Sequence, residues 1–193
     1  MRAAPVACIA AAALELAFAT PVAAQAVSYQ LDPEHSFVHF EVLHFGTSTL
    51  RGRFGPLQGV VTLDPEHQRG DVGVRVAAAS VSTGLRVLDA RLREADLLAS
   101  DTHPDIFFVA RNFRYAGREP VEVRGEFTLR GHSQGLSLRA LRFGCRDDAT
   151  RRREVCGGTF EGFFYRSEFG INFGLPLVAN QVRLLVDVEG VRR

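Results

Sequence analysis

Three histidines stand close together early in the chain: His35, His39 and His44, with Glu34 and Glu41 among them. Imidazoles and carboxylates in such a cluster are the ligands that hold a divalent metal and activate water for hydrolysis. The spacing argues against that use. On an extended strand His35, His39 and Glu41 share a face, but positions i and i+4 are about 13 Å apart. Two ligands to one zinc each reach only about 2 Å. His44 falls on the opposite face. Only a bend at Ser36 would bring His35 and His39 together, so an exported metal-dependent enzyme built on that pair is the second reading of this sequence.

Other chemistries fare no better. All 23 basic residues are Arg, which excludes Schiff-base catalysis and lysine-assisted phosphate binding. There is no G-x-S-x-G, and the glycines of "GRFGPLQG" precede no helix that would make a phosphate loop. Arg166, in "YRSEFG", is suited to hold a ligand head group or to pair with Glu168 or Asp89, and the structural ion pair is the commoner role. Cys145 and Cys156 flank "RDDATRRREV", polar enough for a surface loop, and two cysteines in an exported chain suggest one disulfide. Closing such a loop stabilises by roughly 3 kcal/mol in the chain-entropy account. A zinc or redox pair would need histidine neighbours or a Cys-x-x-Cys spacing.

Export is read from the front of the chain. Arg2, an alanine-rich apolar run and small residues up to Ala24 resemble a secretory signal peptide over residues 1–24, which points to the periplasm and leaves a domain over residues 25–193. The net charge of +1 offers nothing to nucleic acid.

The elements that must position these residues alternate with period two. Val38, Phe40 and Val42 share a face, as do Val72, Val74 and Val76. Val121, Val123, Gly125, Phe127 and Leu129 form another such set, as do Phe160, Gly162 and Phe164, and Val182, Leu184, Val186 and Val188. These are half-buried antiparallel strands. Turns fall at Asp64-Pro65-Glu66, Ala116–Pro120 and Gly131–Gly135. About eight strands are expected, closed as an up-and-down barrel or stacked as a sandwich. One segment differs: Leu85, Leu88, Leu92 and Leu98 recur near helical spacing and predict one short amphipathic helix. The pentapeptide "LDPEH" occurs at Leu31–His35 and again at Leu63–His67. One copy is expected to enter a strand and the other to leave one, so the two are not units of a repeat.

Several motifs, taken in order, resemble the YceI-like family. They are "LDPEHSFVHFEVLHFG", "STLRGRFGPLQGVVTLD", "ASVSTG", "LDARLREADLLASDTHPDIFF", "VRGEFTLRG" and "FYRSEFGI". The resemblance implies an all-β, antiparallel, lipocalin-like barrel of about eight strands with one short helix. It further implies a non-catalytic binder or carrier of a long apolar molecule, such as a polyisoprenoid, an isoprenoid quinone or a fatty-acid-like lipid, with no cofactor and no metal. The chain departs from the family pattern at Arg91, Leu97-Leu98, Gly135, Tyr165 and the Cys145–Cys156 insertion. Fifteen Phe and no Trp suit a smooth apolar wall. Inward Gly52, Gly59, Gly125 and Gly162 are expected to leave space along it.

The ligand is expected against Phe40, Val42, His44, Phe54, Phe108, Phe127, Leu129, Phe160, Phe164 and Leu184. His35, Asp89 and Arg166 are the polar rim or structural residues: His35 anchors a barrel end and Asp89 orders the helix region. Transient membrane contact and a homodimer are the partner expectations beyond the ligand.

Overall fold

A computed structural model describes residues 26–193, so the expected signal peptide lies outside the described residues. The strands are β1 (Val27–Leu31), β2 (Phe37–His44), β3 (Ser48–Phe54), β4 (Gln58–Asp64), β5 (Arg69–Ala77), β6 (Asp105–Ala116), β7 (Glu119–Leu129), β8 (His132–Asp148), β9 (Arg153–Tyr165) and β10 (Val178–Arg192). One helix, α1 (Arg86–Leu92), lies between β5 and β6. β1 pairs with both β4 and β10, so the ring β1-β4-β5-β6-β7-β8-β9-β10 closes with eight strands in its wall. Closure removes the edges of these eight strands, and β3, paired along its length only with β2, keeps one free side apart from a single bridge between Arg53 and Ser82.

The two remaining strands show how the wall is broken. β1 and β2 lie on the same side of β10: Leu31 is opposite Gly190, and Phe37 is opposite Asp187. They are one strand interrupted at residues 32–36. β3 and β4 are likewise separated by Gly55-Pro56, where the proline has no N–H for a ladder.

Because every neighbouring pair is antiparallel, the connections alternate between the two ends of the barrel. The turns β2–β3 and β7–β8, the long β5–β6 connection with α1, and the β9–β10 connection share one end, here the open end. The turns β4–β5, β6–β7 and β8–β9 share the far end, with Val27 and Arg193.

Some expectations change. The helix is seven residues long, and Leu85 precedes it in extended conformation and is exposed. The β7–β8 turn lies at Arg130-Gly131, and His132–Gly135 already belong to β8. The segment between the cysteines is a hairpin rather than a loop: only residues 149–152 turn, and Cys145 and Cys156 are directly opposite and bonded at 2.00 Å. The inward glycines leave no space. A methyl group on Gly52 would stand 2.4 Å from the Phe40 ring, one on Gly162 2.7 Å from Leu138, and ones on Gly59 and Gly125 2.2 and 2.3 Å from neighbouring carbonyls. They are points of close approach between strands.

Candidate functional site

The inward faces of the strands do not meet in a solid core. They enclose a cavity of about 360 Å³, within the roughly 300–1,000 Å³ range of small-molecule sites. Each of Phe40, Val42, His44, Phe54, Phe108, Phe127, Leu129, Phe160, Phe164 and Leu184 is on its wall. Phe127, Phe164 and the fully buried Phe169 pack ring against ring, with centroids 5.3–5.4 Å apart.

The far end is plugged. Tyr29, Leu63 and Cys156 are buried together there, with Val27, Val61, Phe113 and Phe143 against them. The Tyr29 hydroxyl donates to Glu154, and burial with that carboxylate beside it pushes the phenol well above its usual range. At the open end the wall includes Leu88, Arg91, Leu92 and Phe173, and Phe173 is more than half exposed. The cavity therefore opens toward α1 and the β9–β10 connection.

Four side chains besides the bonded Cys156 are the polar ones on this wall: Tyr29, His44, Arg91 and Arg166. Arg166 corrects an expectation. It pairs with neither Glu168 nor Asp89. Its Nε donates to Ala179 O at 2.9 Å, its Nη1 to Ile171 O at 2.9 Å and Phe173 O at 2.8 Å, and its Nη2 to Val178 O at 2.8 Å. Four of the five N–H donors of a guanidinium are thus committed to backbone carbonyls. Arg166 is 6% exposed, and burial lowers its pKa from the usual arginine value. Arg91 is held by Asp96 at 2.6 and 2.7 Å and lies over the Phe173 ring.

Asp89 is outside the cavity wall and orders the helix region. Its carboxylate accepts from the Thr83 hydroxyl at 2.7 Å and the Thr83 amide at 2.6 Å, and these bonds hold it below the usual aspartate range. His35 sits on the turn between β1 and β2, away from the cavity, with Nδ1 2.9 Å from Asp32. His39 is on β2, 3.6 Å from Asp187. Among the described residues, potential metal ligands come within 4.8 Å of one another at Cys145, Glu154 and Cys156 and at Asp32, Glu34 and His35. The first set has its sulfurs in a disulfide, and neither includes His39, so the structure does not bring the two histidines of the metal reading to one point.

The lining residues that alternation missed have a common cause. β6 shifts register between Ala110 and Asn112, and β8 is displaced against β9 between Ala140 and Arg142. Each bulge flips the parity of the residues beyond it. Phe113 and Phe143 therefore turn inward where strict alternation from Phe108 and Leu138 would face them outward. A second shift, between Arg114 and Tyr115, brings Pro120 rather than Val121 to the wall.

Known proteins share this architecture. The family model described as YceI-like domain matches residues 29–190. Protein YceI of Shigella flexneri is 32% identical over 173 residues, covering 88% of this chain and 90% of that protein. The crystal structure of BcnA from Burkholderia cenocepacia has a TM-score of 0.67 at 19% identity, covering 82% of this chain and 98% of that one. The structure of a polyisoprenoid binding domain from Saccharophagus degradans, implicated in plant cell wall breakdown, has a TM-score of 0.60 at 15% identity and covers 86% and 99% of the two chains. The ordered motifs, the closed eight-stranded wall and these matches agree: the chain belongs to the YceI-like domain family.

Proposed function

We propose that this protein is an exported, non-catalytic carrier of a long apolar molecule, a polyisoprenoid, an isoprenoid quinone or a fatty-acid-like lipid, held inside the barrel. The observation that carries the reading is the cavity itself. It has about 360 Å³ of space behind a wall of aliphatic and phenylalanine side chains, and burial there is worth about 25 cal/mol per Å² of apolar surface. Three of its four polar side chains are already engaged: Arg166 by carbonyls, Arg91 by Asp96 and Tyr29 by Glu154. A polar substrate would find few partners on that wall. The relative from Saccharophagus degradans, named for polyisoprenoid binding, supports the same ligand class. The alanine-rich segment over residues 1–24 supports export to the periplasm.

Organic extraction of the purified protein followed by mass spectrometry tests this. An isoprenoid, quinone or acyl lipid is expected at up to one per chain, and the intact mass of the same sample is expected to lack the first 24 residues. If no such molecule co-purifies and none binds on titration, the carrier reading fails.

A further inference from the structure

The open end carries large apolar side chains that neither the core nor the far end accounts for. Phe45 on the β2–β3 turn, Leu85 and Val87 at the start of α1, and Phe173 and Leu177 on the β9–β10 connection are all more than half exposed, with Val87 at 77%. They belong to one rim because the segments that bear them are tied together. The Phe45 amide donates to Leu177 O at 2.8 Å. The Arg91 guanidinium of α1 lies 4.3 Å from the centre of the Phe173 ring. Arg130, on the β7–β8 turn, donates to Gly170 O at 2.7 Å and to Ala95 O at 2.9 Å, joining both long connections.

The other end is different. Its turns, at residues 65–68, 117–118 and 149–152, hold no exposed large hydrophobic residue. A rim of this kind around one opening is the pattern of a docking surface, whereas scattered apolar residues are ordinary.

We propose that this rim docks onto a lipid bilayer of zero net charge and inserts its apolar side chains around the cavity mouth, so that the cavity is loaded from the bilayer. The proposal rests on the carrier reading for its purpose. A long apolar ligand is driven out of water into the bilayer, and a mouth seated on that bilayer spares it the aqueous step. Phe173 makes the surface continuous, because it lines the cavity and is also exposed on the rim. The charge count selects the kind of bilayer. Over the open-end connections, residues 45–47, 78–104, 130–131 and 166–177, five Arg are matched by five Asp and Glu. Such a balanced rim has no net attraction for anionic head groups, so apolar insertion is left to drive binding, and salt has little effect on it.

The chain has no Trp, so a single introduced Trp reports on its own surroundings. The full chain carrying Phe45→Trp is titrated with phosphatidylcholine vesicles at low and high salt. Its emission is expected to shift to the blue in both, while Ala149→Trp at the far end stays unshifted. A Phe45→Ser/Val87→Ser chain, both positions lying off the cavity wall, is expected to sediment with the same vesicles about a hundredfold more weakly, about tenfold for each large side chain withdrawn. It is expected to take up a polyisoprenol from detergent micelles as well as the parent does. Three results would overturn the docking: no shift at Phe45→Trp, an equal shift at Ala149→Trp, or a shift that follows protein concentration without vesicles, which would make a second copy the occupant. Uptake of polyisoprenol without insertion sinks the docking and spares the carrier reading. Insertion without uptake of any apolar molecule does the reverse.

Discussion

The two copies of Leu-Asp-Pro-Glu-His are more alike than their places in the chain suggest. In each, the leucine and aspartate are buried, and the aspartate accepts from the histidine Nδ1, at 2.9 Å for Asp32 with His35 and 2.8 Å for Asp64 with His67. In each, an arginine completes the cluster: Arg151 is 2.7 Å from Asp32, and Arg69 is 3.0 Å from Asp64. Both copies leave a strand, β1 and β4, so the expectation that the first only enters one is corrected. What differs is the next residue. Ser36, fully buried, bonds with Glu189 of β10 through both its hydroxyl and that residue's amide, and the chain resumes as β2. Gln68 takes a positive φ of 55° and the chain reverses into β5. At Asp32 burial pushes the carboxyl up, but hydrogen bonds from His35, the Glu34 amide and Arg151 outweigh it and hold the group below its usual range. The Asp32 carboxylate in turn raises the pKa of His35. The depressed aspartate stabilises the fold above about pH 4, and that contribution is lost as pH falls through its folded pKa. The raised histidine stabilises below about pH 6.5, lost as pH rises through its folded pKa. Asp32→Asn is therefore expected to lower the melting temperature by several degrees, most between about pH 4 and 6.5, with a narrower gap below that window and a partly narrowed one above it, where Arg151 still counts. A gap that is flat from pH 4 to 8 in thermal unfolding would exclude the histidine's share.

At the scale of elements, alternation was a sound guide wherever a strand stayed regular. Val72, Val74 and Val76 on β5, and Val182, Leu184, Val186 and Val188 on β10, all reach the cavity wall. It misled where a bulge moved the parity, because a bulge is a feature of pairing and leaves little mark in one strand's own residues. Arg166 was singled out by its motif, but its role was not legible. A guanidinium at the start of a connection can serve carboxylates or carbonyls, and only the path of the β9–β10 connection decides. Here Ile171, Phe173, Val178 and Ala179 turn their carbonyls onto it. Arg166→Met should leave those acceptors unpaired and cost about 3 kcal/mol or more in urea unfolding, since a bond to a charged group is worth about 1.5–3 kcal/mol. Arg166→Lys should recover only part, because an ammonium has three donors and no planar fork. Glu168→Gln should stay within about 0.5 kcal/mol. If Glu168→Gln matched Arg166→Met, the ion-pair reading of this arginine would return.

At the scale of the whole molecule, the same apolar pattern serves a filled barrel and a hollow one, which is why composition could not separate them. An eight-stranded wall has room for its own side chains or for one small ligand. In this barrel the glycines are occupied by neighbours, the far end is plugged by Tyr29, Phe113 and Phe143, and the space that remains lies toward the open end. Val74, half-buried on β5, faces that space. Enlarging a side chain in a close-packed core costs about 1–3 kcal/mol, because neighbours must leave their rotamers. Enlarging one that projects into the space within the barrel displaces no neighbour. Val74→Phe is thus expected to change unfolding stability by less than about 1 kcal/mol, and to weaken uptake of a long isoprenoid by tenfold or more as the new ring takes the ligand's place. Urea unfolding and a fluorescent-lipid displacement titration on the same preparation read the two quantities. A packed interior gives the opposite pair of results, a large loss of stability with no binding to lose, and a ligand held elsewhere on the surface leaves both quantities where they were.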